Sequence, residues 1–240
     1  VTLYESASRT GGQVLLAELL PGRGEFGGVA TNLLAEAERA GVRIVTGQRV
    51  DAALVAGEAP DAVIVATGGR PRRPPLEVHG TPVVLDAWEV LRGAALPTGH
   101  VVVADWRCDW VGPGLAELAA RAGRRVTLAV NGYMPGQRLQ QYVRDDLLAR
   151  LHRLHVTVVP TARLFGVDAD TVYLQHTTSG EPMVIEDVSG LLLAQGQVAD
   201  DDLATELDGL VAEMVLIGDC LAPRTVEEAV LEGLEAGAAV

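Results

Sequence analysis

The sequence contains no lysine, and all 19 of its basic residues are arginine. A lysine Schiff base or a lysine general base is therefore excluded from its chemistry. Cysteine is nearly absent too: Cys108 and Cys220 are the only two, and they form no C-x-x-C pair. Zinc, an iron–sulfur cluster and a dithiol redox centre all lack closely spaced ligands, so no metal site is expected. Two separated thiols fit a reducing compartment. No apolar run reaches the roughly 18–20 residues of a membrane span. No signal-peptide pattern is visible, and the expected location is the cytoplasm. Positive charge is outweighed, with a net charge of -13. Nucleic acid and anionic membranes need a basic patch and are not expected partners. A small anion held by backbone amides remains compatible with that charge. No G-x-S-x-G turn occurs, so no serine-hydrolase grouping is recognisable.

What is present is enough apolar material for a core: 240 residues, 48% hydrophobic and 21% charged. That length allows one large domain or two small ones. Short β-branched runs alternate with amphipathic helical stretches. Residues 1–5 read as a buried strand, 29–40 as a helix closed by Gly41, 42–45 and 61–67 as strands. The chain opens inside a strand without an initiator Met, which reads as a fragment or a truncated gene. The run Arg70-Pro71-Arg72-Arg73-Pro74-Pro75 reads as a break in all regular structure and a crossover between domains. The same grammar then restarts: strand 101–104, helix 114–122 closed by Gly123, strand 125–130, helix 140–151, strand 155–159. Residues 162–167 and 171–176 read as a hairpin or meander, and 189–194 as a strand. Residues 199–202 form a polar break, followed by strand 214–217 and helix 225–238. Such alternation implies parallel sheets covered on both faces. The recurring strand–helix–strand theme suggests two related dinucleotide-type units.

Four features mark strand ends where ligands of open α/β sheets sit. Glu5 ends the first strand, where a Rossmann unit places an acid on a ribose diol, although the expected G-x-G-x-x-G would precede residue 1. Alone, such a Glu is usually a solvated carboxylate. Gly11-Gly12-Gln13 allows positive φ and close backbone approach, or is an ordinary turn. Ala66-Thr67-Gly68 stops an apolar strand where a cofactor would pass, or merely stops it. Gly218-Asp219 ends the last strand, and the helix start near Thr225, with Arg224 beside it, offers amides to an anionic or carbonyl oxygen. Its plainer reading is a shaped turn and a helix cap.

The second unit is informative by what it lacks. Aligned on Leu115-Ala116-Glu117-Leu118, Gly112 takes the third glycine position of G-x-G-x-x-G. Arg107 and Asp109 take the first two. A side chain there blocks a pyrophosphate, and a carboxylate repels it. The next strand ends in Asn131, with no ribose-binding acid. This reads as a scaffold with NAD(P)H unlikely; measurable NAD(P)H binding would instead support a standalone reductase. His152 and His155 lie at i, i+3 without a third ligand and read as structural. The acidic runs Asp145-Asp146 and Asp200-Asp201-Asp202 read as solvated faces.

Together these residues resemble a known family. Residues 1–5, Gly11-Gly12-Gln13, Glu25-Phe26-Gly27-Gly28 and Ala66-Thr67-Gly68-Gly69 resemble the FAD- or ADP-binding domain of 2,4-dienoyl-CoA reductases of the FadH/old-yellow-enzyme type. The ending from Ile217 to Ala229 is the most specific part. Leu115-Ala116-Glu117-Leu118 and residues 150–156 are closest to the trimethylamine and histamine dehydrogenase branch. The resemblance covers nearly the whole chain. It implies an α/β fold of two Rossmann-like three-layer units of the FAD/NAD(P)-linked reductase type, the second inserted in the first. The FAD/ADP unit would run over 1–75, lacking its first strand and Gly-rich turn, and return at 198–240, with a degenerate NAD(P)-type unit at 76–197. It implies FAD or ADP as cofactor. Glu5 would hold the ribose, and Gly11, Gly12, Gln13, Ala66, Thr67 and Gly68 would line the nucleotide. Gly218, Asp219, Arg224 and Thr225 would face its phosphate or flavin end. FMN and a 4Fe-4S cluster belong, by the same resemblance, to a TIM-barrel partner absent from this sequence. No catalytic residue for substrate chemistry is apparent. The implied role is nucleotide binding for electron transfer with that barrel. The alternative is a noncatalytic interaction domain holding ADP or no ligand.

Overall fold

A computed structural model describes all residues, 1–240. The chain divides into two compact units, one of 1–18, 25–70 and 197–240, the other of 19–24 and 71–196. The second is thus inserted in the first.

The first unit begins with β1 (Thr2–Glu5), α1 (Val14–Ala17), α2 (Gly27–Arg39), β2 (Arg43–Thr46), α3 (Ala52–Glu58), β3 (Val63–Val65) and β4 (Gly69–Pro71). β1 pairs with β2 in parallel, Thr2 opposite Arg43 through Glu5 opposite Thr46. β1 is not buried as its apolar sequence predicts: Thr2 and Leu3 are exposed and Tyr4 and Glu5 half-buried, since β2 is its only neighbour. The arginine–proline run is also less broken than predicted, because its first two residues, Arg70 and Pro71, lie in the short strand β4. Asp51 starts α3 by accepting from the Leu54 N–H at 2.8 Å.

The second unit follows with β5 (Glu77–Val78), β6 (Val84–Asp86), α4 (Ala87–Leu91), β7 (His100–Asp105), α5 (Val111–Arg121), β8 (Arg125–Val130), α6 (Gln141–Arg153), β9 (Thr157–Val159), β10 (Ala162–Val167), β11 (Val172–His176), β12 (Pro182–Ile185) and β13 (Gly190–Ala194). Five parallel strands form one sheet in the order β6-β13-β7-β8-β9. Val101, Val102, Val103, Leu191 and Leu192 are wholly buried in it. Such uninterrupted apolar runs suit strands covered on both faces. β10, β11 and β12 make an antiparallel meander instead, with β5 parallel on its edge. β12 extends the predicted hairpin by one strand. α4 starts with a reciprocal cap, Asp86 accepting from the Trp88 and Glu89 amides while Glu89 accepts from the Asp86 N–H. Arg73 donates to both carboxylates. Leu19–Gly24 belongs here, with the Arg23 guanidinium 3.9 Å from the centre of the Trp110 ring.

The chain then returns to the first unit through β14 (Gln197–Ala199), α7 (Asp202–Leu207), β15 (Met214–Leu216) and α8 (Val226–Ala239). β14 pairs with β4, and β15 with β3 in parallel. The predicted polar break at 199–202 therefore ends a strand and begins a helix. Asp202 sits in the first turn of α7, where a negative charge favours helix initiation. Val55, Val65, Ala204, Leu207 and Cys220 form this unit's core. No helix is long and apolar enough to cross a membrane.

Candidate functional site

The first unit brings three predicted segments together. Gly11 and Gly12 have φ of 122° and 49°, and Gly68 and Gly218 have φ of 80° and 65°, conformations that L side chains rarely adopt. Gly11 also packs closely: an added Cβ would lie 2.8 Å from the Ala30 Cβ on α2. Gly12 faces open space. Gln13, directly after the pair, donates from Nε2 to Asp219 Oδ2 at 2.8 Å. That bond spans most of the chain and joins the glycine turn to the end of β15. Gly68 lies beside it, since its added Cβ would sit 3.7 Å from Gln13 Nε2, and that of Gly69 3.5 Å from the Asp219 Cβ. Gln13, Gly68 and Asp219 thus surround one place.

Several predicted site groups are engaged within the protein. Thr67 Oγ1 donates to the Asp200 carbonyl at 2.5 Å, and the Gly68 carbonyl accepts from the Asp200 N–H at 3.0 Å. Ala66 is exposed. Arg70 holds both oxygens of Asp202 at 3.1 Å, so the acidic run at 200–202 is partly ion-paired. Glu5 is held in its own turn, accepting from the Ala7 N–H at 2.8 Å and the Ser6 hydroxyl at 3.3 Å; no hydrogen bond joins it to Gln13 or Asp219. Asp219 Oδ1 accepts from the Arg224 N–H at 3.0 Å. Thr225 caps α8, its hydroxyl accepting from the Glu227 N–H, while Glu228 accepts from the Thr225 N–H at 3.0 Å. Glu232, which sequence reasoning missed, accepts from the Gly218 N–H at 2.7 Å and pairs with the Arg224 guanidinium. It lies beyond the matching stretch, which ends at Ala229, so no local pattern marks it.

The corresponding turn of the second unit is built differently. Asp109 Oδ1 accepts from the Val111 N–H at 3.0 Å, and its Oδ2 lies 2.8 Å from Arg107 Nε. The first amide of α5 and a nearby cation therefore meet a carboxylate of the chain itself. Gly112 lies flat against Asp105, whose carboxyl group an added Cβ would strike. This is the close helix–strand approach expected of a third motif glycine. Asp105 is buried, with Oδ1 accepting from the Cys108 N–H at 2.9 Å and Oδ2 without a partner. Burial pushes its carboxyl up to about 7, with the neighbouring Asp109 charge adding to the shift. Burial likewise pushes the Cys108 thiol up to about 11, so little reactive thiolate forms there. Both cysteines are free and buried. His152 lies in the last turn of α6, and His155 falls between α6 and β9 with φ of 56°. No group of three or more His, Cys, Asp or Glu side chains is arranged to hold a metal ion.

The chain is a two-unit mixed α/β protein whose parallel sheets resemble those of FAD/NAD(P)-linked reductase domains. No family model matches the chain. It is 28% identical to an N,N-dimethylglycine/sarcosine dehydrogenase of Chromohalobacter salexigens over 98% of this chain and 39% of that protein. The solved structure of histamine dehydrogenase from Rhizobium sp. 4-9 superposes with a TM-score of 0.91 at 22% identity, over 97% of this chain and 39% of that one. Thioredoxin reductase from T. acidophilum shares the general fold, with a TM-score of 0.61 at 15% identity over 97% of this chain and 86% of that one. The chain spans about two-fifths of the length of its dehydrogenase relatives. These likenesses bear out the resemblance to the trimethylamine dehydrogenase, histamine dehydrogenase and 2,4-dienoyl-CoA reductase family, and its homologues are oxidoreductases.

Proposed function

We propose that the first unit binds an adenosine-containing cofactor, FAD or ADP, as the nucleotide-binding module of a flavin-dependent oxidoreductase. Its role is electron transfer to or from an FMN- and 4Fe-4S-bearing TIM barrel that this sequence does not contain. The observation that carries this reading is the Gln13–Asp219 bond beside Gly68, which gathers the glycine turn and two strand ends. The residues fit such a group in one respect above all: Gly12 faces open space, and Gly68 brings its backbone within contact distance of the Gln13 amide without a side chain of its own. Gly11, Gly12, Gln13, Ala66, Thr67 and Gly68 would line the nucleotide, and Glu5 would turn from its own loop to the ribose. Gly218, Asp219, Arg224 and Thr225 would border the phosphate or flavin end. When bound, FAD supplies the redox chemistry and ADP supplies none. The protein residues bind and orient; Asp219, fixed by Gln13 and the Arg224 N–H, is the acceptor best placed to orient a ligand hydroxyl. In the second unit, Asp109 and Arg107 favour a scaffold role, since their own pairing fills the start of α5.

One observation favours the alternative of a noncatalytic domain holding ADP or no ligand: Glu232 already engages the Gly218 N–H and Arg224. Purified protein separates the two readings. Visible flavin absorbance, or uptake of added FAD lost in Asp219→Ala, supports the flavin module. Calorimetric binding of ADP without FAD leaves the ADP-holding domain. A colourless protein that binds neither nucleotide overturns the proposal.

A further inference from the structure

We infer that Glu232 is the positioning residue of the 218–225 turn and that it closes the turn's positive pole. A ligand reaching Asp219 would then do so through hydrogen-bond donors, and an anionic group would enter only when Glu232 is removed. This assignment rests on the nucleotide-site reading above for the ligand and narrows it, giving this turn the flavin end and not the phosphate end, but the geometry of the turn stands by itself.

The turn must present Asp219 from a backbone that reverses sharply at Gly218, where φ is 65°. Gly218 is buried. A buried amide without an acceptor is costly, so this one needs a partner. Glu232 supplies it from α8 at 2.7 Å, a short bond of the charge-assisted kind. The same carboxylate pairs through its other oxygen with the Arg224 guanidinium. Arg224 in turn donates its backbone N–H to Asp219 Oδ1, while Gln13 holds Oδ2. One acid therefore fixes the start of the turn and, through Arg224, its far end, with Asp219 clamped between.

The electrostatic consequence follows. The Gly218 N–H and the Arg224 side chain are two groups that would attract a phosphate here, beside the amides at the start of α8. Both are met by a carboxylate whose side chain is only 18% exposed, so a second anion would face both competition and repulsion. Asp219 adds a further acceptor. What this pole accepts without rearrangement is a ligand group that donates, such as a sugar or polyol hydroxyl.

The test uses ¹⁵N-labelled full chain and follows the Gly218 amide in the wild type, Glu232→Ala and Glu232→Gln, with inorganic phosphate as the probe. In the wild type the Gly218 amide is expected to exchange slowly and its resonance to ignore phosphate. In Glu232→Ala exchange should quicken roughly tenfold or more, the loss of one charged hydrogen bond, and the resonance should shift as phosphate is added. Glu232→Gln separates positioning from charge: its amide oxygen still accepts from Gly218, so slow exchange persists, while phosphate now perturbs the resonance. The Ile217 amide, bonded to the Val65 carbonyl at 3.0 Å, reports whether the strand is intact. If Glu232→Ala does not fold, Glu232→Gln alone decides. Equal Gly218 exchange in the wild type and a folded Glu232→Ala, a phosphate shift in the wild type, or none in Glu232→Gln would each overturn the inference. Failure of FAD and ADP to bind while the amide pattern holds would count against the proposed function and leave the role of Glu232 intact.

Discussion

The two units use the same strand-and-helix grammar with different degrees of closure. In the second, five parallel strands share one sheet, and β7 and β8 are buried along nearly their whole length. In the first, the parallel strands form two separate pairs, β1 with β2 and β3 with β15, and most of their residues remain half-buried or exposed. Two-stranded sheets are marginal by themselves. Around its small apolar core the first unit adds polar clasps, such as Thr67 and Gly68 on Asp200, Arg70 on Asp202 and Glu232 on Gly218. The turns differ in the same sense. In the second unit Asp109 fills the start of α5, whereas in the first Gly12 faces open space.

Hydrogen exchange puts this contrast under the greatest strain. Amides of β1 and β2 should exchange at least about a hundredfold faster than those of β7 and β8, because local opening costs less where few apolar contacts are lost. Equal protection would break the comparison.

The buried charge of the second unit gives an effect of comparable size. Glu117 is fully buried and accepts from Arg121 at 2.7 Å and from Arg150 Nε at 3.1 and 3.2 Å, tying α5 to α6. Arg150→Met should cost about 3–5 kcal/mol in denaturant titration, because it strands much of that charge. Adding Glu117→Leu should restore most of the loss.

Asp105 gives the second unit a pH dependence. Its carboxyl titrates near 7 when folded and near 3.8 at its ordinary value. The native state therefore holds a proton that the unfolded chain has released between those values. Stability should fall as pH rises from about 4 to 7, by on the order of 4 kcal/mol, and level off above. Asp105→Asn should flatten that decline; a decline of unchanged size in the variant would reassign it to another group.

Two smaller effects sharpen the account of the first unit. Gly12→Ala should lose about 1–2 kcal/mol from its left-handed backbone, although the added methyl group meets open space. Thr225→Ala removes the cap of α8 and should lower stability by about 1 kcal/mol, read as a small drop in thermal midpoint.

Much of this architecture was legible in the sequence. The apolar run from Val101 to Ala104, the helix closed at Gly123 and the hairpin at 162–176 announce themselves through periodicity and glycine placement, which are local properties. The strand-end motifs were legible too, because glycines at Gly11, Gly12, Gly68 and Gly218 mark backbone that only glycine adopts readily. Tertiary structure alone decided which of those motifs meet. The Gln13–Asp219 bond joins residues far apart in the chain, Glu5 turns to its own loop, and Glu232 reaches back from α8 to Gly218. It also decided that β1 is exposed despite its apolar letters, and that Asp105 is buried despite its charge. Local pattern fixes which backbone states a segment favours; burial and hydrogen-bond partners depend on which distant segments fold against it.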